Sequence, residues 1–145
     1  MVKVQKSTVI DAPVDRVWTV LRDFNGHDRW HPAVKESRIE ERRPADAIGA
    51  VRRFRLSDGS TLRERLLTLS DAEKAFSYCL LDTPIPLLNY VAHVALHRVT
   101  DGERTFWRWT SEFDAPRGQE RKLRTLVGED IYVRGFTAIR RHLAA

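Results

Sequence analysis

The sequence predicts a single α+β domain over residues 1–145, in which a bent antiparallel sheet of seven strands closes against a long C-terminal helix. Three observations predict it. A β-branched segment and two short helical segments occupy the first 32 positions, strand-like segments between turn residues fill 34–113, and 119–143 contains no proline. No repeat or linker divides the chain, so we expect one domain with a cleft between sheet and helix.

The first elements follow from short local patterns. Val2 to Ile10 is β-branched and alternating, which is typical of a strand. Asp11 is predicted to cap the next helix, and Pro13 to lie in its first turn. A second short helix is expected from His27 to Trp30, ending at Pro32. The first helix has an apolar face at helical spacing, formed by Val14, Val17, Trp18 and Leu21.

Six further strands are predicted at about 34–42, 49–56, 61–69, 75–82, 89–99 and 104–113. The hairpin between the second and third of them indicates a register. A three-residue loop with Gly59 in the left-handed region pairs Phe54 with Leu62. It also pairs Arg52 with Glu64 and puts the apolar residues on one face, whereas a two-residue loop would mix the faces.

Alternation along the later strands predicts which side chains point inward. Cys79, His93 and His97 are expected on the outer face. A mostly aromatic and aliphatic inner face is typical both of a filled core and of a small-molecule pocket, and alternation alone does not separate them. The expected inner residues are Phe76, Tyr78, Leu80, Tyr90, Ala92, Val94, Leu96, Trp107, Trp109, Ser111 and Phe113.

The C-terminal helix, predicted from Gln119 to Leu143, has two apolar stripes. At about 100° per residue the stripes point in different directions. Either the helix bends near Gly128, or the second stripe meets a loop, a ligand or another subunit, so a homodimer is one hypothesis. The first stripe is Tyr132, Phe136, Ile139 and Leu143, and the second is Leu123, Val127 and Ile131.

Composition and charge exclude several classes of protein. Hydrophobic residues make up 42% and charged residues 31%, which excludes a disordered tail. Cys79 is the one cysteine, so an internal disulfide is impossible. No apolar signal segment opens the chain, and Pro84 and Pro86 break its longest uncharged stretch. We therefore expect a cytoplasmic protein without membrane insertion.

Charged partners and bound groups are also unexpected. The net charge is +5, but basic and acidic residues alternate rather than form a stripe, so we expect no nucleic-acid partner. His27 and His31 have the spacing of metal ligands on a helix, yet no third ligand is spaced to join them, so we expect no metal. There is no glycine-rich phosphate loop, and we expect no cofactor.

Several short segments, in this order and spacing, resemble one superfamily. Over essentially its whole length the chain resembles the SRPBCC superfamily, and within it the polyketide cyclase/dehydratase-like branch, which is related to START and birch-pollen-allergen-like domains. The resemblance implies a helix-grip fold, in which the sheet grips the C-terminal helix around a cavity for an apolar ligand. The segments are Trp30-His31-Pro32-Ala33-Val34, Gly49-Ala50-Val51-Arg52, Arg63-Glu64-Arg65-Leu66, Phe76-Ser77-Tyr78, Asn89-Tyr90 after Pro86, and Thr105 to Trp109.

Glu64 is the most informative polar residue. A carboxylate beside Leu62 and Leu66 is costly to bury alone, and Arg52 across the strand pair is its expected partner. Two interpretations stay open: an ion pair that fixes the sheet register, or a ligand anchor in which Arg52 forks onto a substrate carboxylate or enolate. In the second, Glu64 acts as a base, and Arg52 or Tyr78 stabilises the enolate.

The remaining candidate residues are expected to bind a ligand. The resemblance places Trp30 and Pro32 at the cavity mouth, and Trp107 and Trp109 offer surfaces for stacking a ring. The loop 82–88 has apolar residues that would either form a lid or dock permanently on the helix. The full set is Trp30, Pro32, Phe54, Leu66, Tyr90, Trp107, Trp109, Ser111, Val127 and Ile131.

Three functions follow as hypotheses. The first is binding or transport of a small hydrophobic molecule with a ring and an oxygen function. The second is a cyclase or dehydratase acting on a ring-forming or enone substrate, with Glu64 as base. The third is an interaction module with a filled pocket.

Overall fold

The structure, a computed structural model, describes residues 1–144. It has the predicted α+β architecture, with one seven-stranded sheet and a C-terminal helix. The strands are β1 (Val2–Ile10), β2 (Val34–Ile39), β3 (Val51–Leu56), β4 (Thr61–Ser70), β5 (Ala75–Asp82), β6 (Leu88–Val99) and β7 (Arg104–Asp114). The helical elements are α1 (Val14–Leu21), the 3₁₀ turn after α1 (His27–Arg29), a second 3₁₀ turn (Glu40–Arg42), α2 (Glu120–Thr125), a π-helical segment (Leu126–Val133) and α3 (Arg134–Ala144).

The sheet is antiparallel throughout, in the order β1-β7-β6-β5-β4-β3-β2. Its predicted inner face is correct: each inward residue is buried except Leu80, which is half-buried, and His93 and His97 are exposed. The inner face packs against the C-terminal helix and α1 in one core. Within residues 1–144, every helix is too short or too polar to traverse a bilayer.

The β3–β4 hairpin has the predicted register. Phe54 pairs with Leu62 and Arg52 with Glu64. Gly59 has φ +90°, in the left-handed region that a three-residue loop requires. The register therefore turns Arg52 and Glu64 toward the helix with the apolar residues of the hairpin.

The N-terminal helix begins later than predicted, and the expectation that Asp11 caps it is wrong. Pro13 is itself the cap residue, with extended backbone (φ −59°, ψ 146°) and no side-chain cap. Its carbonyl oxygen accepts the N–H groups of Arg16 at 3.0 Å and Val17 at 3.2 Å. The helix consequently starts at Val14, and the second helix is a 3₁₀ turn that ends at Arg29.

The strand predicted at 34–42 ends at Ile39. Residues Glu40–Arg42 form a 3₁₀ turn in which Glu41 and Arg42 have φ values of 57° and 53°. Left-handed backbone cannot continue a strand, so the strand ends before these residues. The next strand starts at Val51 rather than at position 49.

The C-terminal helix is not the continuous α-helix that was predicted. Its middle is π-helical, with wider i→i+5 turns that shift the helical phase. The shift lets both apolar stripes serve one domain: Leu123 and Val127 are buried in the same core as Tyr132 and Phe136. The bend expected near Gly128 is therefore a π-helical segment. The homodimer stays a prediction that these stripes no longer require.

Both edge strands have features that hinder further pairing. β2 is short, has a bulge between Val34 and Glu36, and carries exposed charged side chains. On β1, the Arg140 guanidinium of α3 donates to the carbonyl oxygen of Val9 at 3.2 Å and to the hydroxyl of Thr8.

Candidate functional site

A cavity of about 350 Å³ lies between the inner face of the sheet and the C-terminal helix. The inward residues of β3 to β7 form its floor and walls. The 3₁₀ turn, the β5–β6 loop and the π-helical segment surround it. The volume lies within the range of small-molecule sites, so the sheet encloses space rather than a completely filled core.

Aromatic rings form one wall of the cavity. The rings of Trp107 and Trp109 stack at 5.5 Å, and Trp109 stacks on Tyr132 of the π-helical segment at 4.1 Å. The edge of Trp30 meets Trp107 at 6.4 Å. A Cβ at Gly135 would lie 2.9 Å from Cζ3 of Trp109, so the close approach of α3 to this wall requires glycine.

Arg52 and Glu64 form a buried ion pair on the opposite wall. Arg52 Nε and Nη2 both donate to Oε1 of Glu64, at 2.9 and 2.6 Å. Nη1 donates to the carbonyl oxygen of Phe24 at 2.8 Å, and the guanidinium carbon lies 4.0 Å from the centre of the Phe24 ring. Each nitrogen of Arg52 therefore has a protein partner.

Glu64 keeps one free oxygen. No residue among 1–144 donates a hydrogen bond to Oε2. This oxygen is also not fully buried, so it is accessible from the cavity. Burial raises the pKa of Glu64 above its usual value, and the charge and hydrogen bonds of Arg52 oppose that rise. The result is a carboxylate that is more basic than one in water.

Three tyrosines, Tyr78, Tyr90 and Tyr132, are buried between the sheet and the C-terminal helix. Tyr78 accepts a hydrogen bond from Trp109 Nε1 at 3.1 Å, which leaves its own proton without an acceptor in the described chain. Tyr90 and Tyr132 share a hydrogen bond. Burial raises the pKa of Tyr78 well above its usual value, so this hydroxyl stays protonated and acts as a donor.

His27 and His31 also line the cavity, which sequence reasoning considered only as a metal pair. His27 packs edge-on against Phe54 at 4.6 Å, and neither of its ring nitrogens has a partner among residues 1–144. His31 Nε2 lies 3.0 Å from the carbonyl oxygen of Ile131. The sequence feature that could have indicated their contact with the cavity is their position beside Trp30 and Pro32, which were expected at the cavity mouth. No group of three His, Cys, Asp or Glu side chains in the described residues is arranged as metal ligands.

Most of the residues proposed for the site line the cavity, and four do not. Pro32 is exposed, because it follows the turn and points outward. Leu66 and Val127 are fully buried in the core. Ser111 is buried behind the wall. The predicted residues that do line it are Trp30, Arg52, Phe54, Glu64, Tyr78, Tyr90, Trp107, Trp109 and Ile131.

The β5–β6 loop supplies part of the cavity rim. Ile85 and Leu87 contact the cavity, and Leu87 is buried, whereas Leu88 is 53% exposed. Across the opening, the exposed charged residues Asp130 and Arg134 of the C-terminal helix also line it. Sequence reasoning missed these two, because their contact with the cavity depends on the π-helical phase.

Comparisons with known proteins agree with this fold. A family described as polyketide cyclase / dehydrase and lipid transport matches residues 1–144. A solved structure from Thermobifida fusca is 28% identical, with a TM-score of 0.85 over 98% of this chain and 93% of that one. An uncharacterised protein from Bacillus thuringiensis is 24% identical, with a TM-score of 0.87 over 99% of each chain.

A further similar structure is the Zhui aromatase/cyclase from Streptomyces sp. R1128. It is 22% identical, with a TM-score of 0.72 over 96% of this chain and 88% of that one. At such identity the likeness to the aromatase/cyclase, as to the Bacillus thuringiensis protein, shows the fold alone. No curated protein matches the chain.

Proposed function

Because the chain belongs to the family described as polyketide cyclase / dehydrase and lipid transport, we propose that it binds a small, largely apolar molecule in the cavity between sheet and helix. The ligand carries a ring and an oxygen function. The family covers both binding and cyclase-type activities, and the cavity is the feature that both require.

One observation carries the proposal: the cavity combines stacked tryptophans on one wall with a buried ion pair on another. Trp107 and Trp109 present flat apolar surface, which favours an aromatic or polyunsaturated ring. Glu64 and Arg52 supply the polar end. A protein without a ligand gains no stability from keeping this space unfilled, since empty volume weakens a core.

Binding is tested with N-phenyl-1-naphthylamine, a neutral aromatic probe that fluoresces in apolar surroundings. We expect saturable emission on addition to the purified protein. Leu80→Phe, which adds bulk on the cavity wall, is expected to weaken binding at least about tenfold. Leu81→Phe on the same strand is the matched control, because Leu81 does not line the cavity.

Native mass spectrometry of the purified protein provides a second measurement. A co-purified small molecule, released on denaturation, would support the proposal and identify the ligand class. Equal probe binding by the Leu80→Phe and Leu81→Phe proteins would refute binding in this cavity.

A second candidate function is catalysis with Glu64 as general base. It is favoured by the raised pKa of Glu64 together with its free Oε2, since a base above its usual pKa accepts a proton more readily. Glu64 would take a proton from carbon beside a substrate carbonyl. The Tyr78 hydroxyl would donate to the resulting enolate oxygen, because Arg52 already has a partner at each nitrogen.

Turnover of an aromatic polyketide-like or enone substrate tests this candidate. Glu64→Gln keeps the shape but removes the base, and we expect it to lower kcat by about 10²-fold or more. Glu36→Gln, on the exposed edge strand, is the control. Full activity of the Glu64→Gln protein would leave the carboxylate with a structural and binding role.

A further inference from the structure

The polar end of the cavity contains a cation, Arg52, each of whose nitrogens already donates to a protein acceptor. Arg52 gives Nε and Nη2 to Glu64 and Nη1 to the carbonyl oxygen of Phe24, while the Phe24 ring covers one guanidinium face. A ligand carboxylate needs two parallel N–H donors for bidentate recognition. Glu64 occupies the parallel N–H groups of Nε and Nη2, so a ligand carboxylate would have to displace Glu64 from this fork.

Beside Arg52, an unpaired carboxylate oxygen contacts the cavity. Oε2 of Glu64 has no donor among residues 1–144. A carboxylate oxygen in an apolar site gains most from a hydroxyl or N–H donor, and it repels a second anion. The preferred ligand group at this end is therefore a donor without negative charge.

The hydroxyl group of Tyr78, which lies near Glu64, favours a ligand hydroxyl over a ligand amine at this end of the cavity. Tyr78 and Glu64 are diagonal neighbours on the inner face of β4 and β5, because Tyr78 pairs with Leu66 and Glu64 with Leu80. The Tyr78 proton has no acceptor in the described chain. A ligand hydroxyl has both a proton for Oε2 and lone pairs for Tyr78, whereas a protonated amine has no lone pair to offer.

We infer that the cavity selects ligands whose buried end carries a neutral hydroxyl group, an alcohol, phenol or enol, and that it excludes carboxylates. The inference rests on the proposed function and narrows its ligand class. It assigns Glu64 as the specificity-determining acceptor, with Arg52 as its ion-pair partner. Free fatty acids and aromatic acids are then poor ligands in spite of the arginine.

Three probes with one ring system test it: 2-naphthol, 2-methoxynaphthalene and 2-naphthoate, each titrated at neutral pH by quenching of tryptophan fluorescence. Trp30, Trp107 and Trp109 line the cavity, so quenching reports occupancy. We expect 2-naphthol to bind at least about tenfold more tightly than 2-methoxynaphthalene, which lacks the donor, and 2-naphthoate to bind most weakly.

The Glu64→Gln substitution should strengthen the binding of the charged probe, 2-naphthoate. Removing the negative charge releases Arg52, so 2-naphthoate should bind at least about tenfold more tightly than to the unmodified protein. Glu36→Gln, which removes an exposed carboxylate, should change nothing. If Glu64→Gln does not fold, the probe order of the unmodified protein decides alone.

The outcomes separate the two claims. Equal binding of all three probes, or tighter binding of 2-naphthoate by the unmodified protein, would overturn the selectivity and leave apolar ligand binding standing. Failure of all three probes together with N-phenyl-1-naphthylamine would overturn the proposed function itself.

Discussion

His31 joins the turn after α1 to the π-helical segment, through a hydrogen bond from its Nε2 to the carbonyl oxygen of Ile131 at 3.0 Å. Its Nδ1 accepts the backbone N–H of Ala33 at 3.2 Å, so the ring proton resides on Nε2. Both partners are backbone groups, and the ring is buried. This one side chain therefore links the turn to the irregular helix beside the cavity.

Removing this bridge should loosen the helix beside the cavity. We expect His31→Ala to lower the free energy of unfolding by about 1–3 kcal/mol, because it leaves a buried carbonyl without its donor. Amide hydrogen exchange should increase over residues 126–134. His142→Ala, at an exposed position on α3, is the control. Unchanged exchange over that segment would show that the bridge does not hold the helix.

The Arg52–Glu64 pair should behave as a unit in urea unfolding. Glu64→Leu leaves a buried cation without its partner and is expected to lower the free energy of unfolding by about 3–5 kcal/mol. Adding Arg52→Met should restore most of the loss. Glu36→Leu, which removes the exposed pair with Arg55, should change stability by less than about 1 kcal/mol. Additive losses in the double variant would contradict a coupled pair.

Acidification should destabilise the protein through its buried histidines. Burial lowers the pKa of His27 well below 6.5, and nearby Arg52 adds to the effect. The unfolded chain therefore binds a proton that the folded chain rejects, so the free energy of unfolding falls as pH drops below about 6.5. We expect unfolding midpoints in urea to decrease between about pH 7.5 and pH 5.5.

His27→Gln should reduce this pH dependence, by up to about 1.4 kcal/mol per pH unit. His93→Gln, on the exposed outer face, should leave it in place. Burial also lowers the pKa of His31, so part of the slope should remain in the His27 variant. The raised pKa of Glu64 acts in the opposite sense at lower pH and is common to both variants. Identical slopes for the two variants would rule out His27 as the source.

Two glycines of the C-terminal helix should respond differently to alanine. The new Cβ at Gly135 would lie 2.9 Å from the packed ring of Trp109, and we expect a loss of about 1–3 kcal/mol. At Gly128 it would lie 2.9 Å from Cε of Lys6, the end of a flexible side chain that can move. Gly128→Ala should therefore be neutral, or slightly stabilising through the unfolded state. Thermal unfolding of the two variants measures the difference, and equal losses would contradict it.

Alternation and turn chemistry were sufficient to predict much of the sheet. Apolar residues at every second position, with Gly59 in the hairpin, placed Arg52 opposite Glu64 because only one register keeps the faces separate. The same logic does not give cavity volume. It could not distinguish Leu66, which is core, from Phe54, which lines the cavity, since both point inward.

The C-terminal helix and the turn after α1 were harder to predict from the sequence, for a physical reason. A π-helical segment changes the angle between residues, so a projection at constant angle put Val127 on a separate apolar stripe, although it lies in the same core as the first stripe. The partner of His31 is a backbone carbonyl 100 positions away, and no side-chain pattern encodes it. Long-range contacts to the main chain leave no signature in the residue types themselves.

The features of the two edge strands, β1 and β2, that hinder further pairing affect how the protein behaves at high concentration. A protein that keeps unfilled space inside gives up some packing, and its partly opened forms would expose apolar strands. The bulge and charges of β2, and the Arg140 contacts with β1, hinder the addition of another chain as an eighth strand at either edge. Resistance to fibril formation would then be local to these edges, and variants that straighten β2 or remove Arg140 would be the first to aggregate.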